Sequence, residues 1–397
     1  MRFWIILISS LLISGCKPLG VPVSLQKGLD SIAVKLVPDE REGICSFSLQ
    51  MVSKDLVLLK GETNLPEAKK ALIKYLDGSG LRYADSLAVI PDPLKIKKPW
   101  GLVTVSVSNV KKHPSHASEL VSQAIMGTPV KILKKKEDWL LVQTPDYYIG
   151  WVDDSGINEM TDEQILAWKQ SDRIIYTYKS GDIISETNEN EVISDIIAGS
   201  ILQSVSQKGN YFIVLLPDGR RGKVAKNEAA GFSQWCSSVT PQAGKMAAFG
   251  KSFLGSPYLW GGTSTKAPDC SGFVKTIYFT AGIILARDAS LQFLHGLPVD
   301  ISTSFKNLEP GDLLFFGHFS KGEKRITHVG FYIGNSEIIH SSGMVRINSL
   351  DSTRSDYSSH LKETILGARR IIGTRSERGI EAVAGNSWYN IINEYPK

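Results

Sequence analysis

One cysteine and two distant histidines have the residue types and the order that a thiol hydrolase requires. Cys270 lies where a loop enters a predicted helix, and His328 and His340 lie on two later strand-like runs, 12 positions apart. A thiol becomes a strong nucleophile when a base takes its proton, and that base needs a polar group to fix its ring. The order Cys, His, His can fill these three roles, so the sequence predicts a cysteine hydrolase.

The surroundings of Cys270 favour a reactive thiol over a buried structural one. A free thiol with a pKa of about 8.5 is only a few per cent thiolate at neutral pH. A helix N-terminus and a neighbouring imidazolium can lower that pKa to roughly 3.5–7.5. Polar Asp269 and Ser271 flank the cysteine, and Gly272 leaves room for a substrate or a strand to approach closely. We therefore expect the thiolate to be the dominant form.

Strand periodicity predicts where the histidines point. In the run 326–333, alternation places His328 on the face opposite an apolar stripe. If this run and residues 337–340 form a hairpin, the two histidines share a face only when the loop has an odd number of residues, barring a bulge. A three-residue loop over 333–335 sets His340 directly opposite His328, about 4.5–5.5 Å apart at Cβ. The alternative is two unrelated structural histidines.

Composition limits the class of protein. The chain has 397 residues, 42% hydrophobic and 21% charged, which fits two to four globular domains. Its net charge of +5 argues weakly for an anionic partner such as a cell envelope, and no basic module indicates nucleic-acid binding. Four cysteines are too few for a disulfide scaffold; Cys45 and Cys236 could pair or remain thiols. The Cys and His spacing does not match a compact zinc site, so we expect no metal and no other cofactor.

The N-terminus has the pattern of a targeting segment. Its apolar run over 3–13 is shorter than the roughly 20 residues of a membrane-spanning helix. Residues 12–16 read Leu-Ile-Ser-Gly-Cys, which resembles a bacterial lipobox. We therefore predict a lipoprotein signal peptide over 1–16, lipidation at Cys16 and a tether over 17–30. This places the protein in the cell envelope as a membrane-anchored lipoprotein, periplasmic or surface-facing; the alternative is an ordinary secretory signal.

The rest of the chain divides into predicted domains of multidomain α+β type. The order strand, strand, helix, strand predicts a small α/β unit over 31–98, to which we assign no chemistry. Short strands broken by glycine and Pro-Asp turns predict two small β-barrels, over 99–158 and 172–232. A linker helix over 159–171 joins them, and Thr161 followed by Gln164 three residues later is the pattern of its start. The candidate site falls in the last domain, over 240–375.

The two predicted barrels contain an internal repeat. Residues 119–152 and 191–224 align without a gap at an offset of 72, and ten of the 34 positions are identical. Tyr148 and a nearby tryptophan in the first copy become basic residues in the second. Because the fold does not require aromatic residues there, Tyr148 is a candidate either for a ligand surface or for packing against a neighbouring domain.

Five segments of the last domain resemble the NlpC family of bacterial cell-wall cysteine peptidases, which have a papain-like core. The segments are Pro257–Gly262, Asp269–Phe273, Pro310–Leu313, His328–Gly334 and Ile339–His340. The resemblance implies that Cys270 is the nucleophile, His328 the base and His340 the group that orients the base. It also implies that Tyr258, with the backbone N–H of Cys270, stabilises the oxyanion. The repeated domains resemble bacterial SH3-like domains.

The whole layout is similar to dipeptidyl-peptidase-type γ-D-glutamyl-L-diamino-acid endopeptidases of murein recycling. In that group the first barrel overhangs the site and restricts substrates to stem peptides with a free N-terminal L-Ala. By motif position, the resemblance implies that Glu119 and Tyr148 read this terminus, although Glu191 at the equivalent place of the second copy suggests a partly structural glutamate. The other implied substrate contacts are Trp260, Asp269, Ser271, Asp288 and Ser290.

These patterns lead us to expect a monomeric hydrolase that acts on peptidoglycan stem peptides. Two alternatives stay open. One keeps the fold and changes the bond, as in an amidase at the muramoyl–L-Ala linkage or an acyltransferase. The other is a non-catalytic lipoprotein that binds peptidoglycan, which an intact Cys, His, His set argues against.

Overall fold

The computed structural model describes residues 20–302, 305–374 and 376–392. The chain forms two units, residues 1–90 and residues 91–397, and each is described by itself. The predicted signal peptide, including Cys16, lies outside the described residues. Within the described part of the chain, no helix is both long enough and apolar enough to cross a membrane.

The N-terminal unit has the predicted order of strand, strand, helix, strand, with one further helix in front. Its elements are α1 (Val23–Leu36), β1 (Cys45–Met51), β2 (Leu56–Thr63), α2 (Pro66–Asp77) and β3 (Arg82–Val89). The sheet order is β1-β2-β3, antiparallel between β1 and β2 and parallel between β2 and β3. Helix α2 buries Ala68, Leu72 and Leu76 at the spacing of one helical face, as the periodicity predicts.

Helix α1 differs from the tether that we predict over 17–30. From Val23 onward the chain is helical, and Leu25 and Leu29 are buried. These two leucines are four residues apart, so they lie on one face of the helix and join the same apolar cluster as Leu72. Ile32 continues this apolar face and packs against the same cluster, so the helix is stabilised by burial against the rest of the unit.

The first repeated domain is a seven-stranded antiparallel sheet followed by the linker helix. Its elements are β4 (Trp100–Val103), β5 (Val107–Lys111), β6 (Leu120–Ile125), β7 (Pro129–Lys136), β8 (Trp139–Gln143), β9 (Ile149–Asp153), β10 (Ile157–Met160) and α3 (Asp162–Gln170). The strand order is β10-β4-β7-β8-β9-β5-β6. A capping box between Thr161 and Gln164 begins α3, which confirms the predicted helix start.

The second repeated domain has the same topology. Its strands are β11 (Arg173–Tyr176), β12 (Ser180–Ile184), β13 (Val192–Ile197), β14 (Ile201–Lys208), β15 (Tyr211–Leu215), β16 (Arg221–Ala225) and β17 (Ala229–Gly231). They follow the order β17-β11-β14-β15-β16-β12-β13. Strands β13, β14, β15 and β16 begin 72 residues after β6, β7, β8 and β9, so the repeat is structural. Among the described residues no pairing joins the outer strands of either sheet, so barrel closure is not confirmed.

The last domain is built around a six-stranded sheet. Its helices are α4 (Phe232–Ser238), α5 (Ala243–Lys251), α6 (Cys270–Thr280), α7 (Ala289–Gln292) and α8 (Ser359–Thr364). Its strands are β18 (Ile283–Leu285), β19 (Leu297–Val299), β20 (Leu313–Ser320), β21 (Glu323–Gly334), β22 (Glu337–Ser342), β23 (Met344–Ser349), β24 (Ile365–Arg370) and β25 (Ile380–Ala382). The sheet order is β19-β24-β20-β21-β22-β23, and β25 pairs with β18. Helix α6 packs on one face of the large sheet through Phe273 and Ile277.

Residues 376–392, which follow the predicted end of the last domain at 375, include side chains packed against the core. Trp388 and Tyr389 are buried in one apolar cluster with Trp168 of α3, Phe232 of α4 and Ile284 of β18. The backbone carbonyl of Tyr389 also accepts a hydrogen bond from Arg173 at 2.8 Å. The C-terminal segment therefore contributes to the contact between the linker helix, the second sheet and the last domain.

Candidate active site

Cys270 is the first residue of α6, and the turn that holds it is fixed from both sides. The carboxylate of Asp269 caps the helix by accepting the backbone N–H of Gly272 at 2.7 Å. A Cβ at Gly272 would lie only 2.0 Å from the carbonyl oxygen of Gly262. The close approach that the sequence predicts at Gly272 is therefore made by the protein's own loop, which packs directly against the helix N-terminus.

Burial, not the helix N-terminus, decides the ionisation of Cys270. The residue is 7% exposed. Loss of hydration, followed by the negative charge of Asp269, raises the pKa of Cys270 to about 12, although the backbone N–H groups of Val329 and Ser271 favour the thiolate. Burial therefore opposes the dominant thiolate that we expect from the helix N-terminus and favours the protonated thiol.

The histidine hairpin differs from the predicted one in its register. Its loop has two residues, Asn335 and Ser336, which both have positive φ, and a bulge interrupts the ladder between Tyr332 and Gly334. The bulge adds the odd residue that puts both histidines on one face. The register that pairs Phe331 with Ile339 places His340 opposite Gly330. His328 is thus diagonal to His340, not directly opposite it.

The two rings still meet, and they continue into a third side chain. Nε2 of His328 lies 2.8 Å from Nδ1 of His340, and Nε2 of His340 lies 3.0 Å from Oδ1 of Asn348. The amide of Asn348 is oriented because its Nδ2 donates to the carbonyl of Asp356 at 3.1 Å. This network assigns the tautomers: His340 donates from Nε2 to Asn348, and His328 donates from Nε2 to His340. Nδ1 of His328 is then left as a proton acceptor.

The surroundings of the His328 ring favour its neutral form. Burial, and then the nearby His340, lower the pKa of His328 to about 3. Burial also lowers the pKa of His340, against the effect of its hydrogen bond to Asn348. The lowered pKa of His328 therefore disfavours the imidazolium that we expect beside Cys270, because the buried site does not hydrate separated charges.

Tyr258 is held at the edge of the same site. Its backbone N–H donates to the carbonyl of Gly343 at 3.0 Å, which ties its loop to the turn between β22 and β23. Burial, and then the negative charge of an ionised Cys270, raise the pKa of the Tyr258 phenol. Tyr258 therefore keeps its proton and can donate a hydrogen bond near the sulfur.

Arg287 forms a buried network beneath the nucleophile turn. It is fully buried; Nη2 lies 2.6 Å from Oδ2 of Asp269, and Nη1 donates to the hydroxyl of Ser271 at 2.9 Å. Its Nε donates to the hydroxyl of Ser122 in the first repeated domain at 3.1 Å. Asp269 and Ser271, which the resemblance makes substrate contacts, are thus buried and engaged in bonds within the protein.

The first sheet approaches the site through the two residues that the resemblance singles out. The indole N–H of Trp260 donates to Oε1 of Glu119 at 3.0 Å, and Trp260 itself is exposed. The hydroxyl of Tyr148, a buried residue, donates to Oδ2 of Asp288 at 3.2 Å just before α7. Ser290 lies in the first turn of α7 and is half-buried. Tyr148 therefore packs against the last domain, the second of the two roles open to it.

Comparisons with known proteins agree with this geometry. Residues 255–370 match the model of the NlpC/P60 family, and residues 110–157 match the model described as bacterial dipeptidyl-peptidase Sh3 domain. The chain is 33% identical over 236 residues to gamma-D-glutamyl-L-lysine dipeptidyl-peptidase of Bacillus cereus (strain ATCC 10987 / NRS 248), covering 57% of this chain and 68% of that protein. The chain belongs to the NlpC/P60 family. It is a cysteine peptidase, as the family is.

Two further relatives of this NlpC/P60 peptidase extend the match along the chain. Dipeptidyl-peptidase 6 of Lysinibacillus sphaericus is 28% identical over 282 residues, covering 66% of this chain and 96% of that protein. The crystal structure of an NlpC/P60 family protein from Bacillus cereus ATCC 10987 superposes with a TM-score of 0.60 at 26% identity, covering 69% of this chain and 99% of that one. The shared arrangement therefore includes more than the peptidase domain.

Two residues of this NlpC/P60 site, Asn348 and Arg287, make contacts that no signal in the sequence predicts, although the resemblance includes Arg287 in a segment matched to substrate contacts. His328, His340 and Asn348 form a row of hydrogen-bonded side chains that we call the histidine line. Asn348 ends this line, but it is one of several polar residues on β23. Arg287 bonds to Ser122 across 165 positions of sequence, a pairing that no local pattern predicts.

In the part of the chain that the structure describes, no group of three or more His, Cys, Asp and Glu side chains is placed to hold a metal ion.

Proposed function

We propose that this peptidase hydrolyses the γ-D-glutamyl–diamino acid bond of peptidoglycan stem peptides that begin with a free L-Ala. The observation that carries the proposal is the contact of Glu119, which immediately precedes β6 of the first sheet, with Trp260 of the peptidase domain. A carboxylate from a second domain thus stands at the rim of a thiol site. The relatives of this chain include a gamma-D-glutamyl-L-lysine dipeptidyl-peptidase, which supports the same bond and substrate class.

In the proposed reaction, Cys270 and His328 start as a neutral pair. Nδ1 of His328 takes the thiol proton as the sulfur attacks the γ-carbonyl carbon of D-Glu, so charge forms only as the bond does. His340 accepts the Nε2–H of His328, and Asn348 accepts the Nε2–H of His340, which keeps both rings in the reacting tautomer. His340, the third member of the set, stabilises an imidazolium at His328 less than a carboxylate would, so His340 and Asn348 act chiefly by orienting the base.

The remaining steps use the groups around the sulfur. The phenol of Tyr258 and the backbone N–H of Cys270 donate to the oxyanion of the tetrahedral intermediate. His328 returns its proton to the amine of the diamino acid, which leaves. Water, activated by the same imidazole, then hydrolyses the thioester and releases the L-Ala-γ-D-Glu dipeptide. No metal or cofactor takes part in these steps.

Selection of a free N-terminus follows from charge. An α-amino group with a pKa of about 7.7–8.0 is largely cationic at neutral pH. A charge-assisted hydrogen bond to Glu119 contributes roughly 1.5–3 kcal/mol, less where solvent screens it. Glu119 is exposed and its carboxylate also lies 3.5 Å from the ammonium of Lys112, so solvent and this lysine both weaken its bond to the substrate. Acetylation of the substrate removes the charge and adds bulk.

One assay tests the reaction. The full chain is incubated with L-Ala-γ-D-Glu-L-Lys, with its N-acetylated form and with intact muropeptide, and products are identified by mass. We expect release of L-Ala-γ-D-Glu, with kcat/KM at least about tenfold lower for the acetylated peptide. Cys270→Ala should fold and lose hydrolysis, whereas Cys236→Ser should keep most of it. Cleavage at the muramoyl–L-Ala linkage would instead identify an amidase, and turnover by Cys270→Ala would exclude the mechanism.

The pH profile tests the neutral pair. The pKa of His328 is lowered from 6.5 to about 3. A lowered pKa keeps the imidazole unprotonated as the pH falls, so the base stays available below pH 6.5. Because kcat/KM reports ionisations of the free enzyme, its acid limb should lie below pH 6.5. An acid limb centred at pH 6.5 or above would contradict the assigned neutral base.

Lipidation at Cys16 and a monomeric state complete the proposal. Cys16 lies outside the described residues, so the lipobox pattern alone supports it. Expressed with its own N-terminus, the protein should fractionate with membranes, and Cys16→Ser should release or misprocess it. A soluble wild-type protein with a different cleaved terminus would refute the anchor.

A further inference from the structure

Arg346 is a cation on the catalytic face of the sheet. It lies on β23 directly opposite His340 of β22, and paired residues project to the same face. Asn348, two positions further along β23, shares that face and bonds to His340. Arg346 is exposed. A Cβ at Gly343 would lie 3.2 Å from its Nη2, so the guanidinium lies over the turn between β22 and β23.

That turn belongs to the rim of the site. The carbonyl of Gly343 accepts the backbone N–H of Tyr258, and Met344, which is 46% exposed, forms a bridge with Pro257. The guanidinium of Arg346 is therefore near both the loop of Tyr258 and the histidine line. Its charge lowers the pKa of His340, after the larger effect of burial, which agrees with this placement.

Arg346 also has no partner within residues 20–302, 305–374 and 376–392: no hydrogen bond, ion pair or ring contact engages its side chain. Other arginines of the domain are paired. Arg354 contacts Glu337 and Asp356, and Arg370 contacts Glu309 and Asp312. An arginine with five donors and no acceptor beside a catalytic line is available for an anionic group of the substrate.

The chemistry of the leaving group fits this cation. His328 must face the departing nitrogen to give it a proton, so the diamino acid lies beside the histidine strands, on which Arg346 stands. The first sheet takes the other half of the substrate. A diamino acid carries an α-carboxylate and, when it is diaminopimelate, a second carboxylate at the far end of its side chain. Guanidinium binds a carboxylate through two parallel hydrogen bonds and repels an amine.

We propose that Arg346 binds a carboxylate of the diamino acid on the leaving side of the scissile bond and thereby sets preference among stem peptides. This rests on the proposed function. The source of the carboxylate is either the α-position of a tripeptide or the side chain of diaminopimelate, and the two are distinguished by amidation. Binding of a side-chain carboxylate would favour diaminopimelate over lysine, whose side chain ends in an amine.

Two pairs of peptides test the proposal. The first pair is L-Ala-γ-D-Glu-L-Lys with its α-carboxyl free or amidated. The second is L-Ala-γ-D-Glu-meso-diaminopimelate, α-amidated throughout, with the side-chain carboxyl free or amidated. In wild-type enzyme we expect kcat/KM to be about tenfold or more higher for the free member of one pair. Arg346→Gln should bring the ratio of kcat/KM between the free and amidated peptides close to one, and Arg346→Lys should keep part of the ratio. The control Arg221→Gln removes an exposed arginine of the second sheet and should leave the ratio unchanged.

Binding separates this proposal from the proposed function. The dissociation constants of the same peptides are measured by calorimetry with Cys270→Ala and with Cys270→Ala/Arg346→Gln. Failure of wild-type enzyme to cleave any of the peptides would reject the proposed function, whereas the binding ratio between free and amidated peptides decides the role of Arg346. Equal ratios with and without Arg346, in binding as in cleavage, would overturn the inference. Unchanged melting temperatures of the variants exclude misfolding as the cause.

Discussion

The two copies of the 72-residue repeat have the same strands in the same order, but they contact the peptidase domain through different chemistry. In the first copy, Ser122 accepts a hydrogen bond from buried Arg287; its equivalent Ser194 donates to the carbonyl of neighbouring Asp195. Tyr148 of the first copy donates to Asp288, a residue of the peptidase domain. Its equivalent in the second copy is an arginine whose contacts stay within that copy.

Both copies of the repeat contact the loop that follows Tyr258, through Thr263 and Lys266. Gln123 exchanges hydrogen bonds with Thr263: the backbone N–H of each donates to the side-chain oxygen of the other, at 3.1 Å. The equivalent residue of the second copy, Asp195, forms an ion pair with Lys266 at 2.5 Å. The first contact is specific and partly buried, whereas the second joins two half-exposed charges and contributes little. The same sheet can therefore serve as a part of the site in one copy and as a support in the other.

The largest expected effect concerns Arg287, the buried arginine of the peptidase domain that bonds to the first copy. Arg287→Met leaves the carboxylate of Asp269 buried without its ion pair, and removing one partner of a buried pair typically costs about 3–5 kcal/mol. The turn that holds Cys270 should also lose its support, so activity should fall with stability. The matched variant Arg220→Met of the second copy removes an exposed pair with Asp218 and should cost less than about 1 kcal/mol.

Urea unfolding of both variants measures this difference, and the thiol reactivity of Cys270 reports the turn separately. If Arg287→Met is as stable as Arg220→Met, the buried network around Arg287 contributes no more to stability than an exposed ion pair. The proposed difference between the contacts of the two copies would then be wrong. Ser122→Ala and Ser194→Ala each remove one hydrogen bond. The difference in unfolding free energy between these two variants should therefore be smaller than that between Arg287→Met and Arg220→Met.

Local patterns were sufficient to predict the parts of the fold that local physics determines. The apolar spacing of Ala68, Leu72 and Leu76 predicted α2, and Thr161 with Gln164 predicted the start of α3. The constant offset predicted the duplicated sheet. These features depend on contacts within a few residues or on a repeated pattern, and each is readable without knowledge of the neighbouring domains.

Features decided by distant contacts could not be read in the same way. The ionisation of Cys270 depends on burial by residues far along the chain, so the helix N-terminus alone does not decide it. The register of the histidine hairpin depended on a bulge that alternation does not reveal. Trp388 is buried only because α3, α4 and β18 pack around it, and no local pattern shows that contact. His328 and His340 nevertheless lie on the same face of the sheet, as predicted, because the bulge supplies the odd residue that the prediction requires.

A smaller contrast concerns the two glutamates at equivalent positions. Glu119→Ala should lower kcat/KM for the free peptide by about tenfold and so narrow its advantage over the acetylated peptide, because the cationic terminus loses its acceptor. Glu191→Ala, at the same position of the second copy, should leave both rates unchanged. Steady-state rates with the two peptides measure the effect. Equal losses in both variants would mean that this glutamate supports the sheet and does not read the substrate.

The smallest contrast compares two tyrosines that each donate to a carboxylate. Tyr148 donates to Asp288 at 3.2 Å across the domain contact, and Tyr176 donates to Glu228 at 3.0 Å within the second domain. Tyr148→Phe and Tyr176→Phe each remove one hydroxyl, and each should cost about 1 kcal/mol of unfolding free energy. Only Tyr148→Phe should also raise KM for the free peptide, by a few-fold with kcat little changed, because Asp288 lies at the start of α7 beside the substrate positions that the family implies. If the two variants lose stability equally and neither changes KM, Tyr148 holds the domains together without contributing to specificity, and the first copy reads the substrate through Glu119 alone.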